Sequence, residues 1–150
     1  MSLFKRKEFF TDEEKQSIVD AVRISEQRTS GEVRVFVESH CRYVSAIDRA
    51  VEIFENLQMQ RTELRNATLV YVAIKDRQLA VFGDEGIHQK VGNEYWANEV
   101  VKMINAFNRD NIADGIRQCV LNIGEALAMH FPYDKGTDKN ELPDDIVFGK

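Results

Sequence analysis

Residues 65–87 read RNATLVYVAIKDRQLAVFGDEGI. The run from Thr68 to Ile74 is almost continuously apolar and too short for a comfortable helix. It reads as a central strand covered on both faces. The short Lys75-Asp76-Arg77 turn leads into a second strand, Gln78 to Phe82, antiparallel to the first. That strand ends in Gly83-Asp84-Glu85-Gly86, two carboxylates between small residues. Apolar strands need no acids there to fold. An acidic pair on a glycine-flanked loop is what a hard cation, or a phosphate held through one, requires.

The rest of the chain supplies the partners this hairpin needs. Thr11 and Glu14 have capping-box spacing, and Ile18, Val19 and Val22 share the face of the helix that follows. This helix is expected to stop near Thr29-Ser30-Gly31, with Gly31 easing a turn. Glu32 to Ser39 alternates, with Val33, Val35 and Val37 on one face, which is a strand. His40 to Tyr43 is read as a loop, and Ser45 as the cap of a helix whose apolar positions are Ile47, Ala50, Val51, Phe54 and Leu57. A helix after Asn93 places Trp96, Val100, Met103, Ile104 and Phe107 on one side. A last helix runs from about Asn111 to His130 and stops before Pro132. Residues 133–150 form an acidic tail carrying Asp134, Asp138, Glu141, Asp144 and Asp145, with Leu142, Ile146, Val147 and Phe148 able to dock.

The order is therefore α-β-α-β-β-α-α. The first two strands are joined through a helix and should be parallel with a right-handed crossover. This is an α/β fold, a three-layer α/β/α sandwich on a small mixed sheet, with helices on both faces. A chain of 150 residues fits one domain, with a core spanning about residues 10–132.

Composition narrows the partners. A net charge of -5 and the lack of a basic stripe interleaved with aromatics argue against nucleic acid. No apolar run approaches the roughly 18 residues of a membrane span, so no membrane is expected. MSLFKRKEFF has no apolar segment after its basic residues, so a signal peptide is not expected. Cys41 and Cys119 form no CxxC and read as plain thiols in a reducing, cytoplasmic setting. No protein partner is specified by the sequence.

The inferred strand directions make one further claim. Both parallel strands begin at the sheet edge where the antiparallel third strand ends. Ser30-Gly31-Glu32, Arg65-Asn66 and Gly83-Asp84-Glu85-Gly86 should therefore meet, from three parts of the chain. Glu32, Asn66, Asp84 and Glu85 then offer oxygen ligands for Ca²⁺ or Mg²⁺, and Arg65 can pair with a carboxylate or clamp a phosphate oxygen. The same residues admit a plain structural reading. In it Glu32 and Arg65 form a salt bridge, the glycines turn the chain, and Asp84 caps a short helix over Ile87 to Val91. His88 follows the loop as a further candidate contact. Asp110 and Asp114 frame the start of the last helix, where capping and the helix dipole account for them. His40 and Cys41 adjoin at a strand end, but no third group that would orient them for nucleophilic chemistry is identifiable.

With these residues in view, the chain resembles the TPM domain family, in its short stand-alone bacterial form. The resemblance rests on Thr29-Ser30-Gly31-Glu32-Val33-Arg34-Val35, Ile53-Phe54-Glu55-Asn56-Leu57, Arg65-Asn66-Ala67-Thr68-Leu69-Val70-Tyr71 and Asp76-Arg77. It continues through Gly83-Asp84-Glu85-Gly86-Ile87, Trp96, Asp114-Gly115-Ile116 and Asn140-Glu141-Leu142-Pro143. It implies an α/β/α sandwich and a metal-dependent phosphohydrolase acting on phosphomonoesters or nucleotides such as ATP and ADP. Asp84 and Arg65 would then be catalytic, with a Ca²⁺ or Mg²⁺ ion at Glu32, Asn66, Asp84 and Glu85, and His88 and Asp114 as further binding residues. The alternative is a non-enzymatic, metal-stabilised interaction module. Many relatives carry an acid where Arg65 stands, which leaves one ligand fewer here.

Overall fold

Residues 9–42, 45–133 and 146–149 are described by the structure, a computed structural model. Helix α1 (Asp12–Glu26) starts on the expected capping box: Thr11 Oγ1 accepts from the Glu14 N–H, and Glu14 Oε1 accepts from the Thr11 N–H. Strand β1 (Glu32–Glu38) follows, then α2 (Ala46–Asn56), a 3₁₀ turn at Met59–Arg61, and the antiparallel pair β2 (Ala67–Ala73) and β3 (Gln78–Gly83). Helices α3 (Glu85–Asn108) and α4 (Ile112–His130) come next, and the chain returns as β4 (Ile146–Phe148).

The sheet order is β3-β2-β1-β4. β1 is parallel to both β2 and β4, with Glu32 opposite Ala67 and Val35 opposite Ile146. Period-two alternation splits the side chains between two cores. Val33, Val35, Val37, Val70, Val72, Leu79 and Val81 pack with α1, α3 and α4. Phe36, Leu69, Tyr71 and Ala80 pack with α2 through Ala50, Ile53 and Phe54. Helices thus cover both faces, as expected, and β2 is buried at every position.

Several local expectations are corrected. Among the described residues the sheet has four strands, β4 adding to the three expected. Gly31 is not in a left-handed turn. Its small size matters because a Cβ there would lie 2.7 Å from Leu127 Cδ2 and 3.1 Å from the Asn66 carbonyl. Ser45 stands at the N-cap of α2 but its side chain makes no capping bond. Ile47 and Ile104 are exposed, at the margins of their helices rather than in the core. The short helix expected over Ile87 to Val91 and the helix after Asn93 are both present, as two segments of α3 (Glu85–Asn108) joined across a kink at Gly92, with φ 81° and ψ 171°. The tail residues Asp134, Asp138, Glu141, Leu142, Asp144 and Asp145 lie outside the described residues, as do Asn140 and Pro143 of the closing motif.

Candidate functional site

Three chain segments do meet at the N-terminal edge of the parallel strands. The Glu32 N–H donates to the Asn66 carbonyl at 3.3 Å, and the Asp84 N–H to the Ala67 carbonyl at 2.9 Å. The Gly86 N–H donates to the Arg65 carbonyl at 2.8 Å. Gly86 is required by this closeness: a Cβ would stand 2.1 Å from the Leu64 carbonyl oxygen and 2.6 Å from that of Arg65. Asn66 is buried, with its N–H on Thr62 Oγ1 at 3.2 Å and its amide on Ser30 Oγ at 3.4 Å. Glu32 is buried as the first residue of β1 and lies on the α2 face, opposite Ala67.

Arg65 adopts φ 52°, in the left-handed region that costs a non-glycine residue roughly 1 kcal/mol. Its guanidinium grips Asp84 in a fork, Nε to Oδ2 at 2.6 Å and Nη2 to Oδ1 at 2.8 Å. Nη1 reaches Glu85 Oε1 at 3.4 Å. The bond to Asp84 pushes the Arg65 pKa up, so the guanidinium stays charged. The salt bridge of Arg65 is thus with Asp84 and Glu85, not with Glu32. Asp84 itself is 4% exposed and is the N-cap of α3, its Oδ1 also accepting the Glu85 N–H at 2.8 Å. Glu85 is open to solvent.

Asp84 therefore has both oxygens engaged, one by two donors. The donor set at this edge is chemically right for a hard cation, since every candidate ligand atom is oxygen. With the Arg65 fork in place the arrangement does not fit one, because the fork already neutralises Asp84. Among the described residues no group of three or more His, Cys, Asp or Glu side chains is placed to hold a metal ion.

The two outlying candidates fall differently. His88, in the first turns of α3, accepts a hydrogen bond from Trp96 Nε1 on its Nδ1 at 3.0 Å. Its neutral ring then carries the proton on Nε2. Asp114 is not part of this edge. It forks with Arg117 on α4 at 3.0 and 2.8 Å, and the chain just before α4 packs near the β2–β3 turn, where Arg77 donates to the Phe107 carbonyl. That turn lies at the opposite edge of the sheet.

The opposite edge holds what the sequence reading missed. Asp76 in the β2–β3 turn accepts from the Cys41 N–H at 2.7 Å and bonds His40 Nδ1 at 2.8 Å. His40, followed by the Cys41 amide, holds the Asp76 carboxyl below the usual carboxylate range. Beside them, Glu38 is almost fully buried and accepts Arg49 Nε and Nη2, both at 2.9 Å, and the Tyr71 hydroxyl. Burial, reinforced by Glu38, pushes the Tyr71 phenol up. The signal for the His40–Asp76 pair was in the strand directions: β1 ends on the edge where the hairpin turns.

An α/β/α sandwich on a β3-β2-β1-β4 sheet, with Gly83-Asp84-Glu85-Gly86 clasped to Arg65-Asn66 across that edge, defines the class. The family model of the TPM domain matches residues 3–126, and the chain belongs to the TPM domain family. Among solved structures it is similar to the BA42 protein of the psychrophilic bacterium Bizionia argentinensis, with 39% identity and a TM-score of 0.86. That match covers 97% of this chain and 99% of the other. The N-terminal domain of the cg2496 protein of Corynebacterium glutamicum shares the fold, at 14% identity and a TM-score of 0.59, over 79% of this chain and 74% of that one. No curated protein matches the chain. Among the described residues no helix is long and apolar enough to cross a membrane.

Proposed function

We propose that this TPM-domain protein hydrolyses phosphomonoesters or nucleotides at the Arg65–Asp84 edge, and that a divalent cation, Ca²⁺ or Mg²⁺, joins the edge only when Arg65 releases Asp84. The observation that carries the reading is that the segments bearing Glu32, Asn66 and Asp84-Glu85 meet by backbone hydrogen bonds at one sheet edge, with Arg65 fixed on Asp84 and Glu85. A phosphate group is the chemistry that competes for Arg65, because the guanidinium fork matches phosphate oxygens as well as it matches a carboxylate. A phosphorylated substrate drawing Arg65 away would leave the Asp84 carboxylate without its main partner. Asp84 would keep the Glu85 N–H, so α3 stays capped.

The test is a titration of Mg²⁺ and Ca²⁺ followed by amide NMR, on wild type, Arg65→Gln and Asp84→Asn. Asparagine caps helices as well as aspartate does, so Asp84→Asn should stay folded. Shifts are expected at Glu32, Asn66, Asp84 and Glu85, tighter in Arg65→Gln and lost in Asp84→Asn. Silence at those amides in both wild type and Arg65→Gln removes the cation. Turnover of p-nitrophenyl phosphate, ATP and ADP, measured with and without chelator, should fail in Asp84→Asn. A second reading, a non-enzymatic interaction module, is favoured by the neutralised Arg65–Asp84 pair and prevails if the cation binds without turnover.

A further inference from the structure

The parallel strands β1 and β2 have a second edge, at their C-terminal ends. There β1 has β2 on one side, reached through α2, and β4 on the other. In open α/β sheets the crevice outside the carboxyl ends of the strands, where the chain turns to opposite sides, is where small ligands sit. In this protein that position holds a cleft of about 770 Å³ lined by Glu38, Ser39, His40, Arg42, Arg49, Glu52 and Lys75. The volume lies within the range of small-molecule sites, roughly 300–1,000 Å³.

Its charges are sorted. Arg49 is held between Glu38 and Glu52, which fixes the floor and leaves it one negative charge in excess, so attraction for an anion lies at the rim. Arg42 and Lys75 are exposed on the rim. His40 also lines the cleft, exposed, with its Nδ1 turned to Asp76. In the neutral ring that bond places the proton on Nδ1 and leaves Nε2 as the atom able to meet a ligand. Asp76 is fixed in turn by the Cys41 N–H, so the imidazole is oriented from behind.

We propose that this cleft binds a phosphate-type anion, free phosphate or the phosphate of a monoester, between Arg42 and Lys75 and against His40, which Asp76 orients. Two rim cations match the charge of such a group, and the bare Nε2 of His40 can accept a hydrogen bond from a phosphate hydroxyl. The site is separate from the Arg65–Asp84 edge at the other end of the strands and does not depend on it.

The experiment titrates inorganic phosphate, and separately phenyl phosphate, into the full chain at pH 7 in the presence of chelator, read by amide and histidine-ring NMR. Saturable shifts are expected at Ser39, His40, Arg42 and Lys75, with a Kd on the order of millimolar. Arg42→Gln and Lys75→Gln should each weaken binding about threefold, and raised salt should weaken it further. His40→Gln, at an exposed position, should weaken it at least as much. Asp84→Asn should leave it unchanged, which separates this result from the fate of the Arg65–Asp84 reading. Tighter binding of phenyl phosphate identifies a monoester as the source, and equal binding identifies free phosphate. Absence of saturable shifts at these four residues, or shifts that survive the Arg42 and Lys75 substitutions undiminished, overturns the proposal.

Discussion

Gly83 closes β3 directly before the Asp84 cap, and its missing side chain is filled by Trp96. A Cβ at Gly83 would lie 2.3 Å from Trp96 Cζ2, 2.6 Å from Cη2 and 3.1 Å from Ile87 Cγ2. Carbon atoms rest at about 3.5–4.0 Å, so in Gly83→Ala the indole must retreat by about 1 Å or more. It has little room: Trp96 is buried, meets Tyr95 edge-on with centroids 5.1 Å apart, and donates to His88 at 3.0 Å. Overpacking of this kind costs about 1–3 kcal/mol, and losing the indole hydrogen bond adds about 1 kcal/mol. The added methyl and the stiffer unfolded chain return about 1–2 kcal/mol. The net expectation is a loss of about 2 kcal/mol, or about 4–8 °C in Tm for a domain of this size. The chain has one tryptophan, so its fluorescence reports on this contact alone. Thermal unfolding followed at the tryptophan emission should show both the lower Tm and a shifted native spectrum. A Tm within about 1 °C of wild type with an unchanged spectrum would refute the packing argument.

Gly92→Ala meets no atom within 4 Å of the new Cβ, so its cost is backbone strain alone, about 1–3 kcal/mol by chemical denaturation, with the tryptophan spectrum unaltered. Asp76 has a depressed pKa, so its stabilisation is present above the ordinary carboxylate value near 3.9 and is lost as pH falls through the lower folded value. Asp76→Asn should therefore be less stable than wild type at pH 6–7, and the two should converge in acid; a gap that persists at about pH 2 would contradict this. Burial, then Glu99, pushes the Cys119 thiol up, so it should resist iodoacetamide in the native state and react only on unfolding, as mass spectrometry of labelled peptides would show.

Much of this architecture was legible in the residues. Thr11 and Glu14 announce α1 because the capping bonds are local, and the directions of β1, β2 and β3 follow from one helical crossover and one short turn. Those directions brought Glu32, Asn66 and Asp84 to one edge correctly. They also placed His40 and Asp76 on the other edge, an inference available from the sequence but not drawn. What stayed hidden depends on tertiary contact. The left-handed backbone of Arg65 aims its side chain at Asp84, and no propensity marks an arginine for φ 52°. β4 is too short to show alternation and exists because β1 has an edge to offer it. The Gly92 break, by contrast, was legible, since a short helix over Ile87 to Val91 and another after Asn93 leave Gly92 between them.

The return of the chain as β4 has a consequence for solubility. β1 carries Val33, Val35 and Val37 around Phe36, and without Ile146–Phe148 its backbone donors and acceptors on that side would face water. A bare, apolar, β-branched edge is a template for pairing with another copy of itself. The cover is held from both ends of the chain, since Phe148 lies 6.1 Å from Phe9 and under the Lys15 ammonium, while the Gly149 N–H reaches the Val37 carbonyl at 2.7 Å. Three residues near one terminus thus act as a gatekeeper for a strand more than a hundred positions earlier. Chains cut short of Ile146 should gather into oligomers through β1 while their helices remain intact.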